Sequence, residues 1–214
     1  LMLVLFDLDG TLIDSRRGIE HSLRMTLEQS GVSVEEDHDF TPVIGTSLWT
    51  IFEQYLNTDD QTVLDGAVAR YRHIYRDGPM FEYDIYEGIP DMLTALRHAG
   101  HRVVIATAKA HEYAREVIAS STIASQINHV YGSELDGRNV EKRDLLKHIL
   151  DQEGASAEDM IMVGDRHHDV DGASHNGLRS IGVLYGYGTA DELSEATLCV
   201  NHPREIASTI NAGF

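Results

Sequence analysis

The sequence predicts an α/β fold: a parallel β-sheet with helices on both faces, interrupted after its first strand by a small all-α insertion. Three observations predict it. Short, nearly continuous apolar runs recur at residues 2–6, 103–106, 160–163 and 181–184, as expected of strands buried on both faces. Helix-patterned stretches alternate with them at 89–99, 112–119 and 142–153, and alternating strand and helix makes a parallel sheet. The stretch 15–86 has no comparable run and carries amphipathic stripes instead.

Each element has a local reason. The run 2–6 stops at Asp7 and turns at Gly10. Pro90 suits the first turn of helix 89–99, and Gly100 follows its end, the usual placing of the two helix punctuators. In the insertion Ile19, Leu23 and Leu27 recur every four residues, as do Val63, Ala67 and Tyr71, with Ile74 and Tyr75 continuing the stripe. That spacing gives helices that pack on one another, with Trp49 and the tyrosines as their core. The expected division is a core of 1–14 with 87–214, and a helical unit of 15–86.

Composition removes several classes. With 214 residues the chain suffices for one core plus an insertion. At 42% apolar and 24% charged residues it is neither disordered, collagen-like nor coiled coil. Its net charge of −18 repels phosphate polymers and anionic lipid, so no nucleic acid polymer and no membrane is expected as partner. An anion site here must therefore supply its own positive charge. The lone Cys199 allows no internal disulfide, and the opening residues are too short an apolar run for a signal peptide or a span. A cytoplasmic protein with Cys199 as a buried, inert thiol is expected.

The sharpest motif is Asp7-Leu8-Asp9-Gly10-Thr11, two acids one residue apart at the end of an apolar strand. In an open parallel sheet ligands bind beyond the carboxyl ends of the strands. A turn at Gly10 lets both carboxylates reach one cavity, with exposed backbone N–H groups there to hold phosphate oxygens. Paired acids suit a hard cation such as Mg²⁺. Downstream, Thr107 closes the run 103–106, Lys142 opens a helix, and Asp165 and Asp169 follow the run 160–163 with Gly164 between. On a helix, two acids four apart would share a face. His167 and His168 are adjacent, diverge by about 100 degrees on a helix, and so make a poor zinc pair.

Together, Asp7-x-Asp9-Gly10-Thr11, the strand ending in Thr107, Lys142, and Gly164-Asp165 with Asp169 resemble the four motifs of the haloacid dehalogenase superfamily phosphatases, in order and across the whole chain. The resemblance implies a Rossmann-like core with a helical cap after the first motif. It implies Asp7 as nucleophile and Asp9 as acid and base, with Gly10, Thr107, Ala108 and Lys142 binding phosphate. Mg²⁺ would be held by Asp7, the Asp9 backbone carbonyl and Asp165, with Asp169 in support. The chain has Arg143 where the family commonly has Pro after its lysine. Residues 43–46 resemble the cap's substrate-specificity loop, and the segment 164–188 is similar to phosphoglycolate phosphatase-like members. The expected function is therefore an Mg²⁺-dependent, phosphoglycolate phosphatase-like hydrolase that removes phosphate from a small phosphorylated metabolite through an aspartyl phosphate. A 5′-nucleotidase and a phosphomutase are the alternatives within the superfamily, and a receiver-like phospho-acceptor is the alternative outside enzymes.

Overall fold

The computed structural model describes residues 1–213. The strands are β1 (Leu3–Phe6), β2 (Ile13–Asp14), β3 (Asp84–Ile85), β4 (Arg102–Ala110), β5 (His129–Ser133), β6 (Met160–Gly164), β7 (Arg179–Val183) and β8 (Leu198–Val200). The α-helices are α1 (Arg16–Gln29), α2 (Leu48–Leu56), α3 (Gln61–Arg76), α4 (Ile89–His98), α5 (His111–Ser120), α6 (Lys142–Glu153), α7 (His167–His175) and α8 (Pro203–Asn211). The chain forms two compact units: one holds Leu1–Asp14 and resumes at Ile85, and the other is Ser15–Asp84. Among the described residues no helix is long and apolar enough to cross a membrane.

The first unit is built on a six-stranded sheet, all parallel, in the order β5-β4-β1-β6-β7-β8. β1 is central, with Leu5 in register with Val104 on one side and Met162 on the other. Successive strand residues point to opposite faces, and here both faces are covered. Leu3, Leu5, Val104, Ala106, Met160 and Met162 pack with Leu145, Leu146 and Ile149 of α6 and Ala173 of α7. Val4, Phe6, Val103, Ile105 and Val163, on the alternate face, are fully buried. This explains why the central strands are unbroken apolar runs. Each such side chain contributes roughly 1.5–3 kcal/mol by burial.

The edge strands differ from expectation. The run 103–106 extends to Arg102–Ala110, with a register shift between Thr107 and Ala110. Beside it lies β5, which begins on an exposed His129 and lacks an apolar run. At the other edge the three-residue β8 holds Cys199 half-buried, its thiol directed at the Leu193 carbonyl.

In the second unit α1 and α2 both pack on α3. Ile19, Leu23 and Leu27 are buried as their spacing predicts. On α3 the buried stripe is Leu64, Ala67, Val68, Tyr71 and Tyr75, whereas Val63 is 47% exposed. Val63 belongs to the first turn, where the Asp60 carboxylate accepts from the N–H groups of Thr62 and Val63 and fixes the start of the helix. Trp49 is also not core; its indole N–H donates to Asp65 at 2.7 Å and Arg72 lies over its ring at 5.2 Å. Gly18 is required where α1 meets the turn at Pro79, since a Cβ there would sit 2.0 Å from the Pro79 carbonyl oxygen.

Candidate active site

The site grows from the carboxyl ends of β4, β1 and β6, which are neighbours in the sheet. Asp7 follows β1 directly; its N–H donates to the Val163 carbonyl at 2.9 Å, and its Oδ1 accepts from Leu8 N at 2.8 Å. The chain then turns sharply, with the Leu8 carbonyl accepting from the N–H groups of Thr11, Leu12 and Ile13. Gly10 takes φ +85°, and a Cβ on it would lie 2.3 Å from Asp165 Oδ2. Only glycine serves both demands. The Gly10 N–H, expected to be exposed for phosphate, instead donates to the Ile13 carbonyl at 2.8 Å. The turn consumes that donor, so Gly10 contributes clearance rather than a hydrogen bond.

Thr107 stands just before the register shift of β4 and is buried; its Oγ1 accepts from Lys109 N at 3.2 Å. The Ala108 carbonyl accepts from the Ser133 hydroxyl of β5 at 2.8 Å, which pins the bulged end of the strand. Lys142 is the first residue of α6 and 5% exposed. Its Nζ lies 2.7 Å from the Ala106 carbonyl, 3.1 Å from Asp7 Oδ1 and 2.7 Å from Asp169 Oδ1. Burial alone would strip this ammonium of its proton, but Asp169 and Asp7 more than reverse that and hold it charged.

Asp165 is fully buried, its Oδ1 accepting from the Thr11 hydroxyl at 2.9 Å and its Oδ2 from Tyr187 N at 2.8 Å. Asp169 lies in the first turn of α7, with its Oδ2 accepting from Arg166 N at 3.1 Å. Helix α7 starts at His167, so Asp165 precedes the helix and does not share its face with Asp169. The two acids meet because the chain folds back at Gly164, where a Cβ would lie 2.1 Å from Asp169 Oδ2.

Asp7, Asp165 and Asp169 each offer an oxygen within 4.8 Å of the others. Their crowding is costly. Burial, opposed by Lys142 and reinforced by Asp169 and Asp9, raises the Asp7 carboxyl to about 6. Burial, then Asp7 and Asp169, raises Asp165 well above the carboxylate range. One lysine cannot neutralise three carboxylates, and the all-oxygen donor set without thiol or imidazole fits a hard divalent cation. The histidines lie apart from this set: the His167 and His168 rings stand 3.8 Å apart, with His167 facing Glu192.

The Asp9 carboxylate is not in this triad. It pairs with Lys109 at 2.7 Å, with both side chains about nine-tenths buried. Lys109 escaped the sequence reading, although its place two residues after Thr107 put it at the same strand end. Thr11 stood in the first motif without a role, and Tyr187 escaped the reading, because a main-chain donor carries no signature in sequence.

An acid directly after the central strand, a buried lysine beside it and a triad of buried carboxylates define a class. The family model for haloacid dehalogenase-like hydrolases matches residues 4–183, and the chain belongs to that family of enzymes. Among relatives, it is 40% identical over 190 residues to a 5′-nucleotidase of Pseudomonas aeruginosa, covering 89% of this chain and 86% of that protein. It is 36% identical over 206 residues to the tyrosine-protein kinase PtkA of Mycobacterium tuberculosis, covering 95% and 69%. The crystal structure of a predicted phosphatase from Clostridium acetobutylicum overlays with a TM-score of 0.92 at 36% identity, covering 98% of this chain and 97% of that one.

Proposed function

We propose that this protein is an Mg²⁺-dependent phosphatase of small phosphomonoesters that works through a phosphorylated Asp7, with nucleoside 5′-monophosphates as its leading substrate class. The observation that carries this is the convergence of Asp7 with Lys142 at 3.1 Å and with Asp165 and Asp169 inside one 4.8 Å cluster. Asp7 attacks phosphorus, forming an acyl-phosphate bond as the ester P–O bond breaks. Asp9 delivers a proton to the leaving oxygen, then takes one from the water that hydrolyses the intermediate. Lys142, Thr107 and the main chain at Ala108 take the phosphoryl oxygens. Asp7, the Asp9 carbonyl and Asp165, with Asp169 in support, would hold the cation, which would supply the charge that lets an anionic nucleophile meet an anionic ester.

The resemblance of the segment 164–188 favours phosphoglycolate, while the 40% identity to a 5′-nucleotidase favours nucleotides; we rank nucleotides first on that identity. We assign substrate choice to the inserted helical unit, residues 43–46 included. The test is a panel of nucleoside monophosphates, phosphoglycolate and sugar phosphates, read as kcat/KM with Mg²⁺ and with chelator. Release of inorganic phosphate that stops on chelation and restarts with Mg²⁺ supports the reading. Undiminished turnover after chelation overturns the cation assignment, and sugar isomerisation without release identifies a mutase. Transfer of label to tyrosine peptides in place of water would align the chain with PtkA.

A further inference from the structure

Beyond Val183 the chain does not leave the site. The Leu184 N–H donates to the Val200 carbonyl at 2.9 Å, and Tyr185-Gly186-Tyr187-Gly188 then crosses Asp165. A Cβ on Gly186 would lie 2.3 Å from both Asp165 Cβ and the Gly10 carbonyl oxygen, and one on Gly188 would lie 1.9 Å from the Asp165 carbonyl oxygen. Neither glycine has positive φ. They are needed for clearance, because this segment is pressed against Asp165.

Both tyrosines reach past Asp165 to the segment after the Gly10 turn. The Tyr185 hydroxyl donates to the Thr11 carbonyl at 2.8 Å, and the Tyr187 hydroxyl donates to Asp14 Oδ1 at 2.8 Å. Tyr187 thus holds Asp165 by its main-chain N–H and Asp14 by its phenol. Thr11 likewise gives its hydroxyl to Asp165 and its carbonyl to Tyr185. Each Asp165 oxygen is oriented by one donor and keeps acceptor capacity for a cation.

We propose that residues 185–188 form a strap that positions Asp165 for cation binding and relays occupancy of the site to Asp14, the last residue before the inserted helices. The inference rests on the cation reading above. A cation drawing on Asp165 stiffens the carboxylate, hence the Tyr187 main chain, hence the phenol seated on Asp14. Thr11 and Tyr187 are positioning residues that act through Asp165. Partners of this kind typically change metal affinity 10- to 100-fold when lost.

The test uses the full chain stripped with chelator, with Mg²⁺ alone as probe. Calorimetric titration is expected to show Thr11→Val weakened about tenfold or more, and Thr11→Ser, which keeps the hydroxyl, within about twofold of wild type. Hydrogen exchange is expected to slow at residues 11–14 when Mg²⁺ is added to wild type. In Tyr187→Phe it should slow around residue 165 but not at 11–14. Tyr187→Phe deletes one oxygen from a half-buried ring and keeps the main-chain donor, so it decides the question should Thr11→Val fail to fold. If wild type binds Mg²⁺ and both variants match it in affinity and exchange pattern, the strap inference is overturned alone. A wild-type chain that takes up no Mg²⁺ overturns the cation reading and the strap with it.

Discussion

As the proposed nucleophile, Asp7 answers two opposed demands: buried enough to attack in a dry site, charged enough to attack at all. Lys142 helps, yet burial still lifts the carboxyl to about 6. Asp7→Asn removes the nucleophile while keeping its shape, so steady-state phosphate release should fall by a factor on the order of 10⁴ with the circular dichroism spectrum unchanged. Stability should respond in the other direction. A carboxyl with a higher pKa in the folded than in the unfolded state binds its proton more tightly when folded. Its contribution is therefore full below the ordinary value of 3.8 and is lost as pH rises through about 6. In metal-free buffer the Tm of Asp7→Asn minus that of wild type should therefore grow across that window and level off above it. A flat or falling difference would contradict the burial argument.

At this scale the sequence was informative wherever a residue type was itself the signal. Asp7, Asp9, Lys142, Asp165 and Asp169 are charged residues placed directly after buried apolar runs or at a helix start, and the structure brings all but the Asp9 carboxylate into one cluster. What stayed hidden was pairing. Nothing in the letters says that Lys109 turns toward Asp9 or that the Gly10 N–H is consumed by Ile13. Such choices depend on side-chain direction after a bulge or inside a tight turn.

Among the elements, legibility followed burial. β1, β4, β6 and β7 are buried on both faces and show as apolar runs; β5 and β8 sit at the edges, where half-exposed residues erase the pattern. Helix α7, His-His-Asp-Val-Asp-Gly-Ala-Ser-His, is poor in strong helix formers and starts on the bond from the Arg166 N–H to Asp169 Oδ2 rather than on propensity. Gly164 leaves Asp169 the room to make that bond. Gly164→Ala would drive a methyl group into Asp169 and should cost about 2 kcal/mol in urea unfolding. It should also weaken Mg²⁺-dependent stabilisation, because the displaced carboxylate belongs to the triad. An alanine variant as stable as wild type would show that Asp169 can move aside freely.

For the whole molecule, the net charge of −18 opposes every anionic substrate on its approach, while the buried lysine and cation act only at contact. Screening should relieve the first without touching the second. kcat/KM for a dianionic ester should thus rise about two- to fivefold between about 20 mM and 150 mM salt at saturating Mg²⁺, with kcat nearly constant. A decline with salt would mean that the approach to the site is locally positive.

β2 pairs with β3, and beside them the Tyr86 N–H donates to the Leu12 carbonyl at 3.2 Å, so the chain leaves the sheet-bearing unit and returns to it side by side. Replacing residues 15–84 by a linker of about four residues should leave a core that melts cooperatively and is still stabilised by Mg²⁺. With such a closure, and with substrate choice assigned to the insertion as proposed above, reaction chemistry and substrate choice should inherit mutations separately. Libraries randomised within 15–84 should then explore new leaving groups without dismantling the phosphorylation step.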